Sequence, residues 1–123
     1  MAVTAEQIAF ANPSGEMMLP SRGRPVDLVH LARQSSGDKG LETEILNLFR
    51  QQLGLCMDQL RQTTGRERKI LAHTIKGSAK AVGAFGLARV ASQIEEAPQD
   101  DALVAMLGEE VVRIRDFISG LNR

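Results

Sequence analysis

The chain has 123 residues, with 15 lysines and arginines against 15 aspartates and glutamates, and 43% of it is hydrophobic. That length suits one domain able to bury a core without disulfides or metals. Zero net charge, no tryptophan or tyrosine and only four phenylalanines give no global case for an anionic membrane and weigh against nucleic acid, whose single-strand binders need aromatic platforms.

Residues 1–24 are the least regular part and are read as an N-terminal arm. Asn12-Pro13-Ser14-Gly15 and Pro20-Ser21-Arg22-Gly23 punctuate it, although Thr4 to Ala11 suits a short helix. It has neither the basic start nor the continuous apolar run of a secretory signal, and no apolar run in the chain is long enough to span a bilayer. A single domain is expected over residues 25–123. Pro25 opens a short helical pattern with Val26, Leu28, Val29, Leu31 and Ala32 apolar, stopping at Ser36-Gly37; this suits a lid more than a bundle member.

Asp38 then caps a long helix whose inward face is Leu41, Ile45, Phe49, Leu53, Cys56 and Leu60, in steps of four and three. Thr64 with Glu67 forms a capping box and starts the next helix near Gly65 after a very short turn. That helix carries Leu71, Ile75, Ala79 and Val82 on its apolar face and ends near Gly83, where glycine takes a positive φ. A third shows Leu87, Val90, Ala91 and Ile94 and is ended by Pro98. Asp100 or Asp101 caps the last, with Leu103, Leu107, Val111, Ile114, Ile118 and Leu121 inward. No window alternates as a strand does. Short loops make neighbouring helices antiparallel, so the expected fold is all-α, an up-down-up-down four-helix bundle with a short N-terminal lid helix.

Few residues carry chemistry. Cys56 is the only cysteine, sits in an apolar helical pattern and has no disulfide partner, which suits a core position and a reducing compartment. His30, His73 and Cys56 lack metal-ligand spacing, so no metal site is expected. His30 lies between Val29 and Leu31 and reads as a surface or partly packed residue. Asp27, Glu109 and Glu110 read as solvated or capping charges, and Met17 and Met18 as at most a cover on the bundle.

His73 differs from these. At about 100° per residue it points away from the Leu71, Ile75, Ala79, Val82 stripe, toward water, sharing its face with Arg66, Lys69, Lys76, Gly77 and Lys80. Imidazole is a nucleophile that changes charge near neutral pH, and basic company suits a group that accepts an anion. Arg66, Arg68 and Lys69 fit a solvated face as well as a partner contact. In a tight hairpin with its turn at Gly83-Ala84, the positions opposite His73 are Ile94 and Glu95. Ile94 belongs to the apolar stripe, so Glu95 reaches the ring. A carboxylate on one ring nitrogen fixes the tautomer and leaves the other free. Gly77, Ala84, Ala88 and Ala91 are expected to leave a shallow gap beside the imidazole.

The run His73-x-x-Lys76-Gly77-Ser78-Ala79, followed by Gly83, Leu87-Ala88 and Ile94-Glu95, resembles the histidine-containing phosphotransfer (Hpt) domain over roughly residues 25 to 121. The resemblance implies a lid helix on a four-helix bundle and an exposed phosphoacceptor histidine. That histidine takes a phosphoryl group from a receiver-domain aspartate, or from a sensor (hybrid) histidine kinase, and passes it to a response regulator. By position, His73 is the phosphoacceptor, Lys76 and Gly77 flank it, Lys80 follows with less constraint, and Glu95 is the ring's partner, where the family uses glutamine or glutamate. No cofactor is expected in the chain itself; Mg2+ belongs to the partner's receiver domain. With no nucleotide-binding kinase module and no acidic receiver domain, the expectation is a free-standing phosphocarrier rather than an enzyme, monomeric and cytoplasmic. Its docking surface is expected at Lys69, Ile70, Ala81, Ala84 and Ala88. The rival readings are a helical adaptor that binds and inhibits a kinase or receiver without phosphotransfer, and a basic-helix nucleic-acid binder. His73, Lys76, Gly77 and Glu95 together argue against the first, and zero net charge against the second.

Overall fold

A computed structural model describes residues 24–121 and contains five helices and no strand among them. The expected arm, with its Thr4 to Ala11 helix and Met17 and Met18, lies outside the described residues except for Arg24. Helix α1 spans Leu28–Gln34, α2 Lys39–Gln62, α3 Gly65–Val82, α4 Phe85–Glu96 and α5 Asp101–Leu121.

Pro25 and Val26 precede α1 rather than opening it. Asp27 is the cap, its carboxylate accepting from the backbone N–H groups of Val29 and His30 at 3.0 and 3.1 Å. Val26 is still fully buried, pinned beneath the start of the helix. After Gln34 the chain reverses through Ser36 and Gly37, both at positive φ, and Asp38 caps α2 by accepting from Leu41 N–H at 3.0 Å.

The α2 stripe begins differently from the expected one: Leu41 is exposed and Ile45 only partly covered, while Glu42 and Leu46 turn inward. The cause is a buried polar contact. Ser35, at the end of α1, donates its hydroxyl to Glu42 Oε2 at 3.1 Å, which holds the first turn of α2 with that face inward. From Phe49 on, the expected positions Leu53, Cys56 and Leu60 are buried, and Met57 joins them. Burial raises the Cys56 thiol above its ordinary pKa, which keeps it protonated and unreactive.

Thr64 occupies the N-cap of α3, but its side chain makes no capping bond, so the expected capping box does not close. The chain reaches α3 through Gly65, at φ +60, a left-handed entry unlike the usual capping geometry. Asp100 accepts from Ala102 N–H at 2.9 Å and so caps α5 from the residue before it. On α5, Leu107, Val111, Ile114 and Ile118 are buried with Val104, while Leu103 is half-buried and Leu121 exposed.

Helix α2 packs on α3 and α5, α4 packs on α3 and α5, and α1 touches α3 and α2. The core between them is aliphatic, with Leu53, Leu60, Ile75, Leu87, Ile94, Leu107, Ile114 and Ile118 almost fully excluded from water. The fold is a helical bundle. No helix among the described residues is long and apolar enough to cross a membrane.

Gly83 joins the start of α1 to the end of α3. It ends α3 at φ +93, and a Cβ there would lie 2.9 Å from the Asp27 carbonyl oxygen. Its own carbonyl accepts from Asp27 N–H at 2.9 Å, so glycine is needed both for the turn and for the approach of α1. His30, on α1, donates from Nε2 to the Ala81 carbonyl at 3.1 Å and meets Phe85 edge to face. It is half-buried, the partly packed alternative of the sequence reading.

Candidate functional site

The buried face of α3 is Arg68, Ala72, Ile75, Ala79 and Val82, with Leu71 only half-buried at its edge. His73 lies opposite. Its side chain is 70% exposed, as the periodicity required.

Glu95, near the end of α4, reaches His73 across the α3–α4 hairpin: Nδ1 lies 2.7 Å from Glu95 Oε2. Lys76 comes to the other oxygen, with Nζ 2.5 Å from Oε1. That contact is an ion pair off the direction of a hydrogen bond, since Oε1 is buried without a well-directed donor. Glu95 itself is mostly covered, its side chain 15% exposed. Lys76 is the main reason its carboxyl sits below the ordinary glutamate range; burial opposes the shift and the His73 hydrogen bond adds to it.

The contact with a carboxylate decides the tautomer. An ionised carboxylate only accepts, so His73 must donate from Nδ1. In the neutral ring the lone pair is then on Nε2, which has no partner among the described residues. The arrangement presents one oriented, uncommitted nitrogen to solvent.

The remaining expected residues divide. Gly77 is exposed, and a Cβ added to it would meet no atom within 4 Å, so its small size keeps the surface beside His73 clear and serves no helix packing. Lys80, Lys69, Ile70 and Ala81 are exposed on α3. Ala84 and Ala88 are not: they are 0% and 4% exposed, and Ala91 is also buried. These alanines cannot form a docking surface or the gap beside the imidazole. Helix α4 packs on both α3 and α5, so its buried stripe is broad, and small side chains there let α3 approach closely.

The depression beside His73 lies elsewhere. Its walls include Arg66, Lys69, Ile70, Thr74, Glu95 and Pro98. Thr74 and Pro98 were missed from sequence: the lean of helical side chains toward the N-terminus points from His73 to the turn of Lys69 and Ile70, but Pro98 comes from the loop after α4, which only the packed hairpin brings there. Arg68 is also not on this surface. It is 3% exposed, donating to the Leu60 and Pro98 carbonyls at 3.2 and 3.0 Å and to Asp101 at 3.0 Å. Among the described residues, no group of three or more histidines, cysteines or acids is placed to hold a metal ion.

Residues 43–122, more than half of the chain, match the family described as Hpt domain. Comparison with curated proteins and with solved structures finds no match.

Proposed function

The chain belongs to the Hpt domain family, and from that premise we propose that His73 is the phosphoacceptor of a histidine phosphotransfer protein in a two-component phosphorelay. Hpt domains are phosphocarriers rather than kinases and work with receiver domains and kinases. In this reading, His73 takes a phosphoryl group from a receiver aspartate or a sensor kinase and passes it to a response regulator. The contact of His73 Nδ1 with Glu95 Oε2 at 2.7 Å carries the reading, because it leaves Nε2 as the nucleophile in the only neutral tautomer compatible with that bond.

Glu95 acts as the orienting group. Attack of Nε2 on an aspartyl phosphate forms the N–P bond, breaks the P–O bond and returns a carboxylate to the partner, while the ring, still carrying its Nδ1 proton, gains a positive charge. A carboxylate at Nδ1 stabilises that charge as it develops. The Mg2+ ion that assists the transfer belongs to the partner's receiver domain, so the chain needs no cofactor of its own.

The finer architecture follows the same reading: α2 to α5 as an antiparallel up-down-up-down bundle, with α1 as its lid. The short links between helices and the packing of each of the four on two others support it. Ile70 and Ala81 supply the apolar part of the docking surface, with Lys69 and the clear space over Gly77 beside them. The expected setting is a cytoplasmic monomer.

The test is incubation with a phosphorylated receiver domain and Mg2+, reading acid-labile, base-stable label on the chain. Label is expected on the wild type and none on His73→Gln. Transfer that persists in the variant would sink the assignment, and a folded wild type that binds receivers but takes no label from any of them points to an adaptor instead.

A further inference from the structure

We propose that Lys69 and Arg66, in the turns before His73, are the cations that face a phosphoryl group on Nε2, and that Lys76 acts on His73 only through Glu95. The proposal rests on the reading of His73 as phosphoacceptor and divides the basic face into two roles.

The first observation is where the open space lies. The depression beside His73 is walled by Arg66 and Lys69, and neither Lys76 nor Lys80 borders it. This follows from helix geometry, because Cα–Cβ bonds tilt toward the N-terminus and the His73 side chain therefore lies over the turn of Lys69 and Ile70. Lys76 and Lys80 follow His73 in the helix, on the far side of its Cα.

The second observation is which cations are engaged. Lys76 is held at Glu95 Oε1, its side chain only 22% exposed. Arg66 and Lys69 are exposed and have no ion-pair partner among the described residues. A phosphoryl group arriving on Nε2 brings two negative charges into the depression, and these two side chains are free to meet them with charge-assisted hydrogen bonds. Lys76 has a different task. It balances the Glu95 carboxylate and keeps it ionised and in place, so that Nδ1 is oriented by a pair with no net charge. Lys76 is thus a positioning residue.

The two roles separate experimentally. On the isolated chain, after phosphorylation by a receiver domain and removal of that receiver, Lys69→Met and Arg66→Met are expected to shift the 31P resonance of phospho-His73, and Lys76→Met to leave it in place. On the unphosphorylated chain, Lys76→Met is expected to change the 15N signature of the His73 tautomer, and Lys69→Met to leave it. Lys69→Met should slow phosphorylation on the order of tenfold, the loss of one charge-assisted hydrogen bond. Lys76→Met should slow it in the wild type but add nothing in a Glu95→Gln background, where a neutral amide needs no counter-charge.

If Lys76→Met moves the 31P resonance, or slows transfer equally in both backgrounds, the division of roles is wrong. If label forms on His73 but the Lys69 and Arg66 variants keep wild-type resonances and rates, the inference fails while the phosphoacceptor reading stands. If wild-type His73 takes no label, the phosphoacceptor reading itself fails and this inference falls with it.

Discussion

Glu95 serves two partners with one carboxylate, Oε2 toward His73 and Oε1 toward Lys76, and this makes the site sensitive to acid. Its pKa is lowered in the folded chain, whereas an unfolded glutamate titrates near about 4.3. The stability it contributes is therefore fully present above that unfolded value and is lost as pH falls through the lower folded one. Between pH 6 and pH 3, wild-type stability measured by denaturant should fall more than that of Glu95→Gln. At neutral pH, Glu95→Ala should slow His73 phosphorylation by roughly tenfold, one charged hydrogen bond, with an unchanged circular dichroism spectrum; an unchanged rate would remove its orienting role. The pairing of His73 with Glu95 was legible because a tight hairpin fixes which positions face each other. The capture of Lys76 by the same carboxylate was not. The spacing of Lys76 from His73 describes one helix, and the side chain's choice between water and a neighbour on α4 depends on how close α4 lies.

At the scale of single elements, a glycine inside α3 and the one that caps it make opposite predictions. Gly83 ends the helix at φ +93, with room for a Cβ denied by the Asp27 carbonyl. Gly83→Ala should cost roughly 2 kcal/mol or more in equilibrium unfolding, from left-handed strain together with displacement of α1. Gly77 sits mid-helix with open space around it, so Gly77→Ala should stabilise the fold by about 0.5–1 kcal/mol through helix propensity. Phosphotransfer from a receiver domain should nevertheless slow in Gly77→Ala, because the added methyl stands on the surface that the partner approaches. Gain of stability with loss of transfer would separate a docking role from a structural one, and an unchanged transfer rate would remove the docking role. Caps and helix ends were legible at Asp38 and Gly83, where local backbone rules decide. The box at Thr64 was not, since the left-handed Gly65 changes the entry into α3.

Over the whole molecule, Arg68 is the residue most misplaced by reading α3 alone. It belongs to a basic run, yet it lies in the interior and ties the end of α2 to the loop before α5 through the Leu60 and Pro98 carbonyls. Asp101, its charged partner, is exposed, so the ion pair is worth little and the backbone acceptors carry the cost of its loss. Arg68→Met should destabilise the bundle by about 2 kcal/mol in urea unfolding, by leaving the Pro98 carbonyl without a donor and the Leu60 carbonyl with Thr63 alone. Transfer through His73 should persist in the folded fraction, because Arg68 does not border the depression beside His73.

Periodicity, caps and hairpin spacing are local rules, and through them the sequence by itself determined the helices, the exposure of His73 and its pairing with Glu95. A period of 3.6 residues sets a side chain's direction before any helix meets another. The tertiary structure alone decided that Ala84 and Ala88 face inward, that Arg68 is buried, and that Lys76 belongs to Glu95 while Lys69 and Arg66 border the open space at His73. Each of these depends on how many helices surround a given face and at what distance. That is a property of the packed bundle, and no single helix contains it.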